Sequence, residues 1–570
     1  MRISAFNQPL SSVTMQNPVL ISFRQRPKVY AWAAFFYVLT MLWVSVMTQG
    51  LPIGDFDDWD HLMVAQDLSW KTVLQPLATP WSTSIHWHGQ VNRINEMTHR
   101  RVFLTVALKS VNGIFGLRFF PYYLFTKAIF FAATVGLVFL LLVSMTGSWP
   151  ISLFGLLFYF LVPAHYPHLF WITDPITLVQ CFMLLSVWAY FKIAEDWEKL
   201  FRNSWKWFAV LFFFGWLGMK TKEPALTVFL ALLIFTLANL RHWTQHKKKF
   251  FLLAVLLGHL CLLLIPLQHL AVANRETPIR LVLATIFRMY FRNFQCGYED
   301  EAVSAFFSWK RLFPVSIART FGFSLLWALV FSWMAYAVMR IRRNPQLKIF
   351  LRHPIAQLAV IWLLIDTVFM SMFQPDPRYF SSAMIPLTLL AVRLIDCVLA
   401  GLGESRFRKG AWVVLMLAVG ITYSNNIQSI FWLRGVIGAR CHRFLYAAKT
   451  IYEDRYGPVK NMRDIGLFYS STYVPDKSHP RFQNETFYTQ LGYESWSKGE
   501  RTRANFEKFA SQGASYMIVR APDAFPEDHH IKTLRVLDGI NRESGFENLY
   551  YHFRKKTPDL FVIQKFNLEK

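Results

Sequence analysis

The feature that most constrains this chain is a succession of long apolar runs separated by short basic connections. A helix needs about 20 apolar residues to cross the hydrocarbon core of a bilayer. Runs of suitable character fall at Val29–Thr48, Pro121–Met145, Trp149–Pro163, Pro175–Phe191, Trp207–Met219, Ala225–Leu240 and Phe250–Ala271. Further runs follow at Thr320–Met339, Ile355–Phe373, Ser381–Ala400 and Trp412–Trp432. Composition agrees: 54% of the 570 residues are hydrophobic and only 17% are charged, too apolar for water-soluble cores alone. The expected fold is a polytopic α-helical membrane protein with about eleven transmembrane helices.

The net charge of +25 would suggest nucleic acid in a soluble protein, but here it is distributed by loop. Arg24, Arg26 and Lys28 precede the first run, and Lys192, Lys199, Arg202 and Lys206 follow the fourth. Arg241 with Lys247–Lys249, Arg340 through Arg352, and Arg406 to Lys409 mark later connections on the same side. The positive-inside rule then places residues 1–28 in the cytoplasm. Segments 50–120, 272–319 and 433–570 fall on the outer face, and residues 29–432 form the transmembrane domain. Beyond Gly435 the long runs stop. Strand-like runs at Ile465–Tyr469, Tyr516–Val519 and Leu560–Ile563 alternate with helical patterns near Arg503–Ala510 and Lys532–Ile540. That alternation predicts an outer α/β domain over 433–570. No GxSxG, Walker loop, GxGxxG, CxxC or HExxH occurs, so ATP-driven transport and the common hydrolase chemistries lack support.

The richest candidate for chemistry follows the first run: Asp55, Asp57, Asp58 and Asp60, with His61. Acids at a helix start suit the macrodipole, and one or two would satisfy that reading. Four repel one another, which raises at least one pKa and suits a general base or a cation site. The same loop carries His86 and His88, which suit either a divalent metal or an interfacial hydrogen-bonding layer. Three more polar features share the outer face. Thr173-Asp174-Pro175 follows His165 and His168; Lys220-Thr221-Lys222-Glu223-Pro224 links two runs; Arg378-Tyr379 lies in the proline-rich connection Gln374–Phe380. Lys220 suits snorkelling as well as function, whereas Arg378 in a short rigid turn suits a phosphate. Lys127, near a span end, reads as a snorkelling side chain. Carboxylates facing Lys and Arg are what transfer from a lipid phosphate requires: a base for the acceptor hydroxyl and cations for the leaving phosphate.

In this order and with this sidedness, the first-loop acids, the Lys-Glu-Pro and the Arg-Tyr resemble the GT-C glycosyltransferases. The branch concerned contains the protein mannosyltransferases and the lipid A aminoarabinose transferases. The resemblance covers roughly residues 29–400. It implies a polyprenyl- or dolichyl-phosphate-linked sugar donor, inversion at the anomeric carbon and a catalytic acid in the first outer loop. Asp57 or Asp58 stands where the family keeps an Asp-Glu pair, Lys222-Glu223 matches its Lys-Glu stretch, and Arg378-Tyr379 matches its Arg-Tyr. The Asp-Asp pair and the extra acids Asp55 and Asp60 put the identity of the base in question; by its place in the family pattern Asp58 is favoured, then Asp57. No cofactor is required on this reading, though the His and Asp residues leave room for a divalent metal. The expected partners are the lipid-linked donor, membrane lipids and a glycan, glycolipid or protein acceptor. The expected location is a bacterial inner membrane with a periplasmic site, or the endoplasmic reticulum membrane in a eukaryote. The competing readings are a transporter or flippase for a lipid-linked sugar, for which Asp366, Arg393 and Asp396 provide intramembrane charge, and a non-catalytic scaffold of a glycan-assembly complex.

Overall fold

The computed structural model describes residues 27–53, 56–78, 101–162, 165–195, 201–222, 224–240, 246–273, 353–373, 381–401, 406–469, 516–520, 526–527, 531–538 and 560–566. The first helix, α1 (Pro27–Thr48), shows how the chain meets lipid. Ala33, Phe36, Thr40, Val44 and Met47 are buried at helical spacing. Trp32, Phe35, Val38, Leu39, Leu42 and Val46 lie exposed on the other side. A helix apolar all round with one face bare belongs in a membrane. Among the described residues three helices are long and apolar enough to cross one: Pro27–Thr48, Phe119–Thr146 and Ile176–Glu195. Four shorter apolar helices accompany them: Val102–Phe115, Trp149–Phe160, Ala225–Ala238 and Pro354–Phe369. The chain is an integral membrane protein.

Segment 50–120 is itself largely helical where described. It holds α2 (Phe56–Asp67), α3 (Trp70–Ala78) and α4 (Val102–Phe115). Next come α5 (Phe119–Tyr123), a π-helical turn (Leu124–Ala128) and α6 (Ile129–Thr146), which form one rod. Gly147 closes α6 with φ 64° and hands the chain to α7 (Trp149–Phe160). Only glycine takes that left-handed conformation without cost. A short helix, α8 (Tyr166–Phe170), precedes α9 (Ile176–Glu195), which is buried along nearly its whole length. Then follow α10 (Phe201–Met219), α11 (Ala225–Ala238), α12 (His246–Ala273), α13 (Pro354–Phe373), α14 (Met384–Gly401) and α15 (Arg406–Tyr456). The core runs through α6, α7, α9, α11 and α14. Each proposed span falls on a helix except Thr320–Met339, which lies outside the described residues, as do 272–319 apart from the end of α12.

The last part of the chain departs from expectation in three places. First, the helix does not end at residue 432: α15 passes through it without a break and runs for 51 residues. Hydropathy registers where lipid stops, and helicity is carried on by tertiary contacts. Arg434 on α15 donates from Nε to the Met47 carbonyl at 2.7 Å and from Nη2 to the Gln49 carbonyl at 3.0 Å, closing the C-terminal end of α1. His442, two turns on, lies 3.2 Å from the Gly50 carbonyl. Secondly, Ile465–Tyr469 is helical, within α16 (Met462–Tyr469). The reason is a reciprocal cap: the Asp464 N–H donates to Asn461 Oδ1 and the Asn461 N–H to Asp464 Oδ2. Thirdly, most of Lys532–Ile540 is strand, not helix. β2 (Ile531–Asp538) and β1 (Tyr516–Arg520) both pair antiparallel with β3 (Leu560–Phe566), giving the order β1-β3-β2. Strand pairing overrides a weak helical pattern when a partner strand buries one face. The sheet is tied back to α15, since the Tyr516 hydroxyl donates to Asp454 at 2.7 Å and Lys565 pairs with the same carboxylate at 2.8 Å. Tyr516–Val519 and Leu560–Ile563 are strands as expected, and Arg503–Ala510 lies outside the described residues.

Candidate functional site

The site is built where several helix ends meet: the start of α2, the π-turn before α6, the turn between α8 and α9, and the turn between α10 and α11. Helix α2 is fixed first. Its last turn is capped by Lys109 of α4, whose Nζ donates to the Ala65 and Gln66 carbonyls at 3.2 Å. Arg463 of α16 pairs with Asp67 at 2.8 Å. At Gly466 the two helices approach so closely that a Cβ would lie 2.8 Å from Trp59 Cε3 and Met63 Cε. This clamp turns Trp59, His61 and Asp58 into the protein, where all three are buried.

Asp58 meets the turn ahead of α9. Its Oδ1 accepts the Thr173 N–H at 2.8 Å and the Thr173 hydroxyl in a short contact, and its Oδ2 accepts the Ile172 N–H at 3.2 Å. Burial pushes the Asp58 carboxyl up from its ordinary value, against the opposing pull of those hydrogen bonds and of Lys127. Arg101, at the head of α4, donates to the Thr173 carbonyl at 3.4 Å and lies 3.1 Å from His61 Nε2. An arginine always donates, so that ring nitrogen is the acceptor of the pair.

Asp174 is the centre of charge. Its Oδ1 accepts the Ile176 N–H at 3.0 Å, which shapes the start of α9. His168 Nδ1 lies 2.6 Å from its Oδ2, and Lys222 Nζ lies 4.0 Å from its Oδ1. Lys127 donates to the Asp174 backbone carbonyl. Burial alone would raise the Asp174 carboxyl, but His168, Lys222 and Lys127 together hold it well below the usual carboxylate range. Lys127 is fully buried within the π-turn, and such turns recur at functional sites. Lys220 is buried as well, and burial pushes its pKa down.

Of the residues expected from sequence, the fold therefore brings Asp58, Asp174 and Lys222 into one constellation, with Lys220 in the same inter-helix turn. Asp57 and Asp60 lie in α2, and their side chains are not described. Asp55, His86, His88, Glu223, Arg378 and Tyr379 lie outside the described residues. Lys127 was the residue misjudged. A lysine six residues after a proline inside an apolar run suggests snorkelling, but an ionisable group at membrane depth signals function by default. Arg101 and His61 carried no distinguishing signal, because only the fold shows that they meet. Among the described residues, no group of three or more His, Cys, Asp or Glu side chains is placed to hold a metal ion.

No protein-family model matches the chain, and no curated protein does. A solved structure does match, that of ArnT from Cupriavidus metallidurans bound to undecaprenyl phosphate. It aligns with a TM-score of 0.39 at 12% identity, over 94% of this chain and 98% of that one.

Proposed function

We propose that the protein is a membrane glycosyltransferase that moves a sugar from a polyprenyl-phosphate-linked donor to an acceptor hydroxyl at the outer face of the membrane. The observation that carries this reading is the convergence of Lys127, Lys222 and Arg101 on the Asp58–Asp174 turn at one end of an apolar bundle. Cations gathered at the depth of a lipid head group, beside carboxylates, suit a phosphate leaving group and a hydroxyl nucleophile. Lys222 Nζ sits 4.0 Å from Asp174 Oδ1, which puts its ammonium beside the carboxylates where this reading places the donor phosphate. The resemblance of the motifs to the GT-C transferases points the same way, and Arg378-Tyr379 and Glu223 take donor-binding roles on that reading. The inner-membrane, periplasm-facing location and residues 433–570 as an outer domain belong to the same proposal.

The base is assigned within the first-loop acids. Asp58 is turned into the protein and accepts three hydrogen bonds, so taking a proton from an acceptor would require breaking its hold on Thr173. Its role is to hold the turn that carries Asp174. The proton then goes to a neighbouring carboxylate, with Asp57 first and Asp55 and Asp60 after it. The test is single Asn replacement at Asp55, Asp57, Asp58 and Asp60, with transfer assayed from a panel of polyprenyl-phosphate-linked sugars in proteoliposomes. Asp57→Asn should lower the rate by about 10²–10⁴-fold while the chain inserts normally. Wild-type rates in all four variants would remove the transferase mechanism and favour the transporter or scaffold reading.

A further inference from the structure

Besides the charged constellation, α13 carries a buried carboxylate. Asp366 is fully buried; its Oδ1 accepts the Thr227 hydroxyl at 2.8 Å and its Oδ2 the Ser382 hydroxyl at 2.7 Å. Both hydroxyls follow motif residues closely in sequence. Thr227 lies in the first turn of α11, and its Oγ1 is also 2.8 Å from the Pro224 carbonyl, two residues after Lys222. Ser382 precedes α14, four residues after Arg378 in sequence. Its neighbour Ser381 accepts from Gln180 Nε2 at 3.2 Å, and Gln180 belongs to α9, the helix that opens at Asp174. The contacts close a circuit from Lys222 through Pro224, Thr227, Asp366, Ser382, Ser381 and Gln180, back along α9 to Asp174. Asp174 then faces Lys222 at 4.0 Å.

Packing alone does not call for an acid there. A leucine would fill the space between α11, α13 and α14 without the desolvation that a buried carboxyl suffers. What an acid adds is two acceptors aimed at two different helix starts. We propose that Asp366 is a positioning residue for donor binding: it locks the α10–α11 turn to the start of α14 and so sets the distance of Lys222 from Asp174. The inference rests on the glycosyl-transfer reading, and it removes Asp366 from the proton-relay role that a transporter would give it. Asp366 touches neither Lys222 nor Asp174, so it acts only through the helices it joins.

Hydrogen counting selects the variants. The single Thr227 proton faces two acceptors at 2.8 Å, the Pro224 carbonyl and Asp366 Oδ1. An amide at 366 donates to Thr227 Oγ1 while still accepting from Ser382, so Asp366→Asn keeps the circuit closed. Asp366→Ala opens it at both ends, and Thr227→Val opens one link with little change of shape.

The experiment measures binding of a long-chain polyprenyl phosphate by the purified full-length chain in nanodiscs, with thermal melting recorded for each variant. Asp366→Ala and Thr227→Val should weaken binding at least about tenfold, since a displacement near 1 Å can cost up to about 10²-fold at a reacting site. Asp366→Asn should restore most of the affinity. Lys222→Ala should also weaken binding, and adding Asp366→Ala to it should cost nothing more, because both act through one lysine. Wild-type affinity in Asp366→Ala overturns the proposal, as does full additivity with Lys222→Ala, which would make Asp366 a packing residue only. If Asp366→Ala fails to fold, Thr227→Val alone and in the Lys222→Ala background decides by the same two criteria. A wild-type chain that does not bind the lipid phosphate overturns the transferase reading itself, an outcome distinct from any difference among the variants.

Discussion

Asp58 and Thr173 lie 115 residues apart in sequence, and the Asp58 carboxylate accepts both the backbone N–H and the hydroxyl of Thr173. This one contact joins the acidic first loop to the turn that presents Asp174. It converts two weak sequence motifs into a single piece of structure.

That contact should be visible in the pH dependence of stability. Burial raises the folded-state pKa of Asp58. A carboxyl whose folded value is raised contributes stability that is fully present below its unfolded value, about 3.9, and is lost as pH rises through the folded value. Melting temperature in detergent should therefore fall, relative to Asp58→Asn, as pH rises from about 4 through the raised value, and the two curves should run parallel above it. At neutral pH the Asn variant presents an amide N–H to the Thr173 and Ile172 donors, and should cost about 1–3 kcal/mol. Curves parallel over the whole range would argue that Asp58 does not titrate in this environment.

Lys222 and Lys127 should separate binding from folding. Lys222 is 11% exposed and its charge helps hold Asp174 ionised, so Lys222→Ala should lower the melting temperature less than Lys127→Met does. If it meets the donor phosphate, losing that charge-assisted bond costs about 1.5–3 kcal/mol, or roughly 10- to 100-fold in donor KM. Lys127 is fully buried and holds the Asp174 carbonyl, so Lys127→Met should lower melting temperature and transfer together. A Lys222→Ala enzyme with an unchanged donor KM would take Lys222 out of the binding site.

Gly466 offers a test of how far α16 governs α2. A Cβ there meets Trp59 and Met63 at 2.8 Å, and overpacking of that kind costs about 1–3 kcal/mol. Met63 can yield, so Gly466→Ala should fold with reduced stability and slower transfer, whereas Gly466→Val should lose both. The transfer rate of the Ala variant is the informative measurement, since an unchanged rate would show that α2 is held without α16.

How much of this was legible in the sequence depends on what each residue faces. The spans could be read because lipid imposes length and apolarity, and they fall on helices wherever the chain is described. Asp174 and Lys222 drew notice because charge in a short connection between apolar runs is rare, and the fold brings the two to 4.0 Å. Lys127 was misread because sequence gives its depth but not its surroundings, and only the fold shows Asp174 opposite its ammonium. The α16 helix is written in its Asn461–Asp464 cap, a local signal that outweighs the strand-like apolar run Ile465–Tyr469. Helix α15 had no such signal, because its continuation depends on contacts with α1 that lie 387 residues away.

Those contacts give the chain an order of assembly. Arg434 closes the carbonyl end of α1, yet it is synthesised only after every other described membrane helix has been made. Until then the Met47 and Gln49 carbonyls lack these two donors, while the Tyr123 hydroxyl already holds the Pro52 carbonyl at 2.8 Å. Contacts this distant in sequence form late. A truncated chain ending before α15 would lack both donors, so the carbonyl end of α1 is completed only by a side chain made 387 residues later.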